Sequence, residues 1–208
     1  AIVGLNLVSA VSSFGLAFGA LTVYALGKTF FWPTMLAVVG DRFPRTGAVA
    51  MSLMGGIGML SVGLLGGPGL GYARDRFSAG ELKEADATLY AEVKSDGAPS
   101  SFLNFEAVQP IDPSILNPAK DAYAAKMAVE KGSENEKVIA KADTLTPEQE
   151  LIAKSDIQGN RQVLKVDSLI PAVMAVIFLL LMLYFRATGG YRPLSIEEVS
   201  GGGEGPVP

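Results

Sequence analysis

The residue with the clearest chemical potential is Lys28, the only charged residue between Phe14 and Val39. Burying an ammonium inside a membrane costs at least a few kcal/mol, so such a lysine is expected to face a bundle interior or a wet cavity. Tyr24, Phe31 and Trp32 lie three or four residues away, on the same face of a continuous helix. This face predicts a substrate-binding surface for an anionic or hydroxylated solute, with the ammonium as hydrogen-bond donor and the rings as stacking surfaces.

A bend is expected beside this lysine. Pro33 cannot donate a hydrogen bond to the carbonyl of Thr29, and its ring clashes with that carbonyl. Thr29 and Pro33 are therefore candidate bending or gating residues. Two alternatives for Lys28 stay open: a span running from near Ile2 to Leu26, with the lysine at an interface, or an ion pair with an acid elsewhere.

A second candidate for movement lies in a glycine-rich stretch. Gly63, Gly67 and Gly71 form two consecutive GxxxG steps, which leave one helical face open to close approach by another helix. Pro68 is expected to kink or loosen this helix near its end. Plain helix packing and a gating role explain the pattern equally well.

These residues must be positioned by membrane-spanning helices. The stretch from Phe14 to Val39 would rise about 39 Å as a helix, enough to cross a hydrocarbon core of about 30 Å. The runs from Ala48 to Tyr72 and from Ser168 to Phe185 carry no charge. The prediction is an all-α membrane protein, a multi-pass transmembrane helix bundle with a partly helical polar insert. Its segments are the end of a truncated helix (1–8), spans at 14–39, 48–72 and 168–186, a cytoplasmic loop (40–47), an extracytoplasmic insert (73–167) and a flexible cytoplasmic tail (187–208).

Composition excludes several functions. The chain has no cysteine and no histidine, which removes disulfide scaffolds, thiolate or imidazole metal sites and imidazole bases. A net charge of −4 argues against nucleic-acid binding. No cluster of acid, base and nucleophile is visible, so we expect no enzyme, no cofactor and no metal.

The polar insert is expected to contain helices at Ser78 to Lys94 and Pro118 to Ala142, separated by a proline-rich linker. Thr146 to Gln149 has the pattern of a capping box, from which a helix is predicted to run towards Ser168. The scattered acids of the insert are interpreted as solvated helix faces.

One motif resembles a known family. The stretch from Gly27 to Arg45, GKTFFWPTMLAVVGDRFPR, followed by the glycine-rich helix, resembles the tenth helix, cytoplasmic loop and eleventh helix of major facilitator superfamily transporters. Asp41, Arg42 and Arg45 match the charged positions of that loop. Residues 63–71 are similar to the family's Gly-Pro motif, and the last span would be the twelfth helix. The long insert and Lys28 depart from the usual pattern.

The resemblance implies the C-terminal part of a secondary active transporter in the cell (inner) membrane, moving a small polar solute by alternating access. The expected partners are that small-molecule solute, the lipid bilayer, a coupling ion (proton or sodium) and missing N-terminal helices of the same protein. The alternative is a non-transporting membrane scaffold or assembly subunit whose insert binds a partner.

Overall fold

The chain is all-helical in a computed structural model that describes residues 1–11 and 13–191. Within these residues the only β-pairing consists of two isolated bridges. The helices group into two compact units: Ala1–Leu65 with the residues from Leu164 onward, and Gly66–Val163. The helices are α1 (Ile2–Ala10), α2 (Phe14–Thr29), α3 (Phe31–Arg42), α4 (Gly47–Ser61), α5 (Gly67–Ala85), α6 (Ala87–Val93), α7 (Pro113–Glu130), α8 (Glu136–Ala142), α9 (Pro147–Asp167) and α10 (Leu169–Ala187).

Three helical stretches are long and apolar enough to cross a membrane: Phe14–Arg42, Gly47–Ala85 and Pro147–Ala187. Their apolar side chains point outward rather than into a protein core. Phe14 is 86% exposed and Met59 is 80% exposed. Soluble helices normally bury one apolar face, so this distribution is compatible with lipid as the surrounding medium.

The first helix folds back on the second. A Cβ atom placed on Gly4 would lie 2.5 Å from the Tyr24 backbone nitrogen, and one on Gly27 would overlap the Ala1 backbone. The start of α1 therefore lies beside the end of α2, so the two helices are antiparallel and in close contact. The chain leaves α1 after Ala10 and enters α2 at Phe14, and Ser12 between them lies outside the described residues. A single span from Ile2 to Leu26 does not form.

A break at Phe30 separates α2 from α3. It falls where the missing N–H of Pro33 leaves the Thr29 carbonyl without its usual partner. The Thr29 hydroxyl donates to the carbonyl of Ala25 at 2.8 Å, and the Thr34 amide donates to the carbonyl of Phe30 at 3.2 Å. The helix is therefore interrupted by one residue at the place where the sequence predicts a bend.

The glycine-rich span contains a wider helical turn. Val62–Gly66 is π-helical, and α5 begins directly after it with Pro68 in its first turn. Pro68 has no N–H for the carbonyl of Leu64, which removes one hydrogen bond that a regular helix would make there. That Pro68 loosens the helix stays a prediction, but the helix does not end near Pro68, because α5 continues to Ala85.

The polar insert has its own hydrophobic core. The buried side chains come from four helices and the linker, and they are Leu82, Leu89, Val93, Ile111, Ala119 and Ile152. A core of this kind shows that residues 66–163 are a folded helical unit rather than a loop carrying solvated helices.

The insert's helix boundaries differ in part from the sequence prediction. The expected helix from Ser78 to Lys94 is interrupted at Asp86, whose carboxylate accepts hydrogen bonds from the amides of Thr88 and Leu89 at 2.9 Å and so starts a new helix. The expected helix from Pro118 to Ala142 begins earlier, at Pro113, and it is interrupted between Glu130 and Glu136, which separates α7 from α8.

The capping box is confirmed. The Thr146 amide donates to the Gln149 side chain at 3.1 Å, and the Gln149 amide donates to the Thr146 hydroxyl at 3.2 Å. The helix that it starts, α9, runs to Asp167, and α10 follows after a single turn residue, Ser168.

Glu150 in α9 gives a pH-dependent contribution to stability. Hydrogen bonds from Lys126 and Lys154 lower the pKa of this carboxyl from its ordinary 4.5 to about 2. A lowered pKa means that the ionised form stabilises the fold above pH 4.5, and that this contribution decreases as the pH falls towards about 2. We therefore expect Glu150→Gln to lower the melting temperature at pH 7 and to lower it much less at pH 2.5, measured by thermal unfolding at both pH values. A pH-independent difference would contradict this.

Candidate functional site

The structure places Lys28 on the outward side of α2, close to one predicted partner. Its Nζ atom lies 5.8 Å from the centroid of the Tyr24 ring, within the range of a cation–π contact. The side chain of Lys28 is exposed, and within residues 1–11 and 13–191 it forms no ion pair. Lys28 and Tyr24 thus form a cationic, aromatic spot on an otherwise apolar helix.

Phe31 and Trp32 belong to other contacts. The Phe31 ring stacks on Phe178 of α10, with centroids 6.2 Å apart and an interplanar angle of 5°. The Trp32 ring packs on α4, where a Cβ atom on Gly58 would lie 3.6 Å from it. The structure brings Lys28 and Tyr24 together and uses Phe31 and Trp32 to pack α3 against two neighbours.

Two of the three candidate gating glycines, Gly63 and Gly71, are uncovered. A Cβ atom on Gly63 or on Gly71 would meet nothing within 4 Å among the described residues, so the GxxxG face carries no neighbouring helix there. A face of this kind is available for close packing by another helix. The nearby π-helical turn and Pro68 make this the most irregular part of the second span.

Two of the charged loop residues, Asp41 and Arg42, lie next to the C-terminal end of α10. The Tyr191 hydroxyl donates to Asp41 at 2.8 Å, and the Arg42 guanidinium lies 4.5 Å from the Phe185 ring centroid and 5.4 Å from the Tyr191 centroid. Arg45 is exposed and makes no ion pair in the described part of the chain. Asp41 and Arg42 therefore anchor the last described turn, while Arg192 and the tail beyond it lie outside the described residues.

An apolar groove of about 720 Å³ lies between α3 and α10. Met35, Val38, Phe178 and Leu181 are among its lining residues, and Arg186 and Tyr191 close one end. Lys28 and Tyr24 do not line it. The cationic spot and this groove are thus separate features.

Among the described residues, the most deeply buried charge is one that the sequence interpretation missed. Asp156 of α9 is 1% exposed, although the acids of the insert were expected to be solvated, and this expectation is wrong for Asp156. Its carboxylate accepts from Lys120 at 2.7 Å and from the Ser78 hydroxyl at 3.1 Å. Asn160 donates to it at 3.0 Å, and Arg74 lies 3.8 Å away. The hydrogen bonds and ion pairs of Asp156 thus connect α5 and α7 to α9 inside the insert.

A signal for this cluster is present in the sequence. Ile152, Asp156, Gly159 and Val163 follow each other at helical spacings of four, three and four, so an acid occupies the apolar stripe of α9. Gly159 completes the arrangement, because a Cβ atom there would lie 2.5 Å from the Ser78 backbone nitrogen. The close approach of α5 and α9 buries the carboxylate and requires it to be paired.

Within residues 1–11 and 13–191, no group of three or more acidic side chains is arranged to hold a metal ion. In comparisons with known proteins, no family model, no curated protein and no solved structure matches the chain.

Proposed function

We propose that the chain supplies three membrane-spanning helices of a secondary active transporter of the major facilitator type, which moves a small polar solute by alternating access. The observation that carries the proposal is Lys28, a cation on an apolar helix whose surroundings are otherwise suited to lipid. Such a residue is costly in a membrane and is retained where a solute or a coupled charge needs it.

Three further features support this proposal. The helix carrying Lys28 is interrupted at Phe30, and the second span has a π-helical turn, so both helices have a point at which they can bend. The loop after α3 meets the end of α10 through Asp41 and Tyr191, which agrees with an even number of crossings between them, namely the second and the third span. Loop 40–47 and the tail would then face the cytoplasm.

Reconstitution of the full-length protein into liposomes tests the proposal. Uptake is measured for a panel of labelled sugars, nucleosides and carboxylates, with an inward proton gradient, an inward sodium gradient or neither. We expect concentrative uptake of one class, driven by one of the two gradients. Uptake equal to that of empty liposomes for every class under every gradient would contradict a transport function.

A second candidate is an integral-membrane scaffold whose insert binds a partner. It is favoured by one observation: residues 66–163 fold around their own hydrophobic core, as a protein-binding domain would. The two candidates differ in the same liposome experiment, because a scaffold gives no uptake while the insert remains folded.

A further inference from the structure

A hairpin loop of the insert has an uncharged, aromatic tip. No charged residue lies between Asp96 and Glu106, although the rest of the insert is rich in charges. Two backbone hydrogen bonds between Ser100 and Val108, of 2.8 and 2.9 Å, close the loop at its base. Residues 102–105, here called the loop tip, are Phe102, Leu103, Asn104 and Phe105. The loop tip therefore differs in chemistry from the insert that carries it.

The loop tip packs on the last residues of the uncharged run that precedes the insert. A Cβ atom placed on Gly69 would lie 3.0 Å from the Phe102 ring. The Tyr72 ring centroid lies 6.3 Å from that of Phe102 and 6.0 Å from that of Phe105. Arg74 is the first charged residue after this run. The loop tip is thus level with residues of α5 that are predicted to lie within the second span.

The base of the loop lies farther along α5, on the polar side. Residues 107–109 line a cavity of about 320 Å³ together with Lys83. The Tyr90 hydroxyl of α6 donates to the carbonyl of Gln109 at 2.8 Å, which fixes this end of the loop. Lys83 lies about 21 Å farther along α5 than Gly69, since each helical residue rises about 1.5 Å. The loop therefore runs alongside α5, and its tip points towards the apolar end of that helix.

Two apolar side chains of the loop tip are left uncovered. Leu103 is 71% exposed and Phe105 is 61% exposed. Leu103 also has a φ of +50°, the single positive value at a non-glycine residue in the described part of the chain. Leucine rarely adopts this left-handed conformation, which glycine and asparagine tolerate far better. A strained leucine with an exposed side chain indicates that the side chain has a contact outside the described chain.

We propose that the loop tip inserts into the lipid bilayer at its interface, where Leu103 and Phe105 contact lipid and attach the insert to the membrane surface. The inference rests on one part of the proposed function, that the second span crosses a membrane. It is independent of solute transport and of Lys28.

Lipid is the occupant that the position of the loop tip favours. The loop tip contacts a helical run that itself requires an apolar medium, so both are placed in the same surroundings. Aromatic residues and leucine are the side chains that occupy the boundary between headgroups and acyl chains. The exposed Arg76 follows one turn after Tyr72, where a guanidinium can pair with lipid phosphates.

Spin labelling of the full-length protein in phosphatidylcholine liposomes tests the proposal. The chain has no cysteine of its own, so an introduced cysteine is the single labelling site within it. A nitroxide is attached in Leu103→Cys and in Phe105→Cys, and its collision rates are measured with oxygen, which collects in lipid, and with a nickel chelate, which stays in water. Leu60→Cys, in the middle of the uncharged run, and Lys137→Cys, on an exposed helix of the insert, are the lipid and water references.

We expect oxygen-to-nickel collision ratios at Leu103 and Phe105 that are severalfold above the ratio at Lys137. A water-like ratio at Leu103 together with a lipid-like ratio at Leu60 would overturn this inference alone. A water-like ratio at Leu60 would overturn the membrane assignment and this inference with it. Low collision rates with both reagents at Leu103 would show that protein covers the loop tip, which would also overturn the proposal.

A variant with a polar tip tests the contribution of Leu103. Leu103→Asn keeps a residue that tolerates the left-handed conformation, so the loop should stay folded. Loss of one leucine side chain from lipid should shift the equilibrium between inserted and free loop by about tenfold or more towards the free form. A label at residue 105 should then collide more often with the nickel chelate. Ser101→Asn, at an exposed residue beside the loop tip, is the matched control, and equal ratios in the two variants would contradict anchoring by Leu103.

Discussion

Replacing Lys28 with alanine in the full-length protein is expected to reduce solute uptake to background, by more than about tenfold, while membrane insertion is retained. The reason is that a charge-assisted hydrogen bond in a low-dielectric site contributes about 1.5–3 kcal/mol, and alanine has no donor to replace the ammonium. Removal of a charge from an apolar helix does not hinder its insertion. The measurement is uptake into liposomes, normalised to the amount of protein reconstituted.

Two control variants distinguish loss of the charge at Lys28 from a general effect of substitutions in α2. Lys28→Arg keeps a cation and should retain part of the uptake, although the guanidinium has a different shape. Thr22→Ala lies on the same helix, where the Thr22 hydroxyl bonds only to the carbonyl of Phe18, and should transport as the unchanged protein does. Full uptake by Lys28→Ala would remove Lys28 from the mechanism.

Replacing Lys120 with methionine is expected to destabilise the insert by about 2–3 kcal/mol. The substitution removes the closest counter-charge of Asp156, whose side chain is 2% exposed, and leaves Arg74 at 3.8 Å as the remaining cation. Breaking a buried ion pair from one side typically costs about 3–5 kcal/mol, and the partial exposure of Lys120 reduces that cost. Hydrogen exchange of the α9 amides, followed by mass spectrometry, should become about 30- to 150-fold faster.

The insert offers a matched control for this experiment. Lys141 forms an ion pair with Asp121 at 2.8 Å, close to the 2.7 Å of the Lys120–Asp156 pair. Both side chains of the Lys141–Asp121 pair are half-exposed or more. An exposed pair contributes about 0–1 kcal/mol, so Lys141→Met should accelerate exchange by fivefold at most. Similar acceleration in both variants would show that burial of Asp156 does not determine the strength of its pairing.

Local features of the fold were predictable because they depend on residues within one helical turn. Pro33 predicts the interruption at Phe30 through the hydrogen bond that it cannot make. The Thr146 capping box predicts the start of α9 in the same way, since each of its two hydrogen bonds joins residues three apart. Long apolar runs likewise predict the three helices that could span a membrane.

The predicted binding face was only partly realised, for a tertiary reason. Tyr24 contacts Lys28, whereas Trp32 packs on α4 near Gly58. Phe31 meets Phe178, about 150 residues later in the chain, which no spacing rule could anticipate. The sequence therefore identified the residues but not their neighbours.

The sequence alone determined the helical class, the positions of the apolar helices, the isolated charge at Lys28 and the chemistry that lacks cysteine and histidine. Only the tertiary structure decided which polar groups are removed from water. Asp156 is buried because Ser78, 78 residues earlier, packs its backbone against Gly159, and Gln109 has a buried oxygen because the linker is held against α5 and α6. Burial is a property of the packed chain, and the free energy of a charge or an acceptor depends on burial more than on its neighbours in sequence.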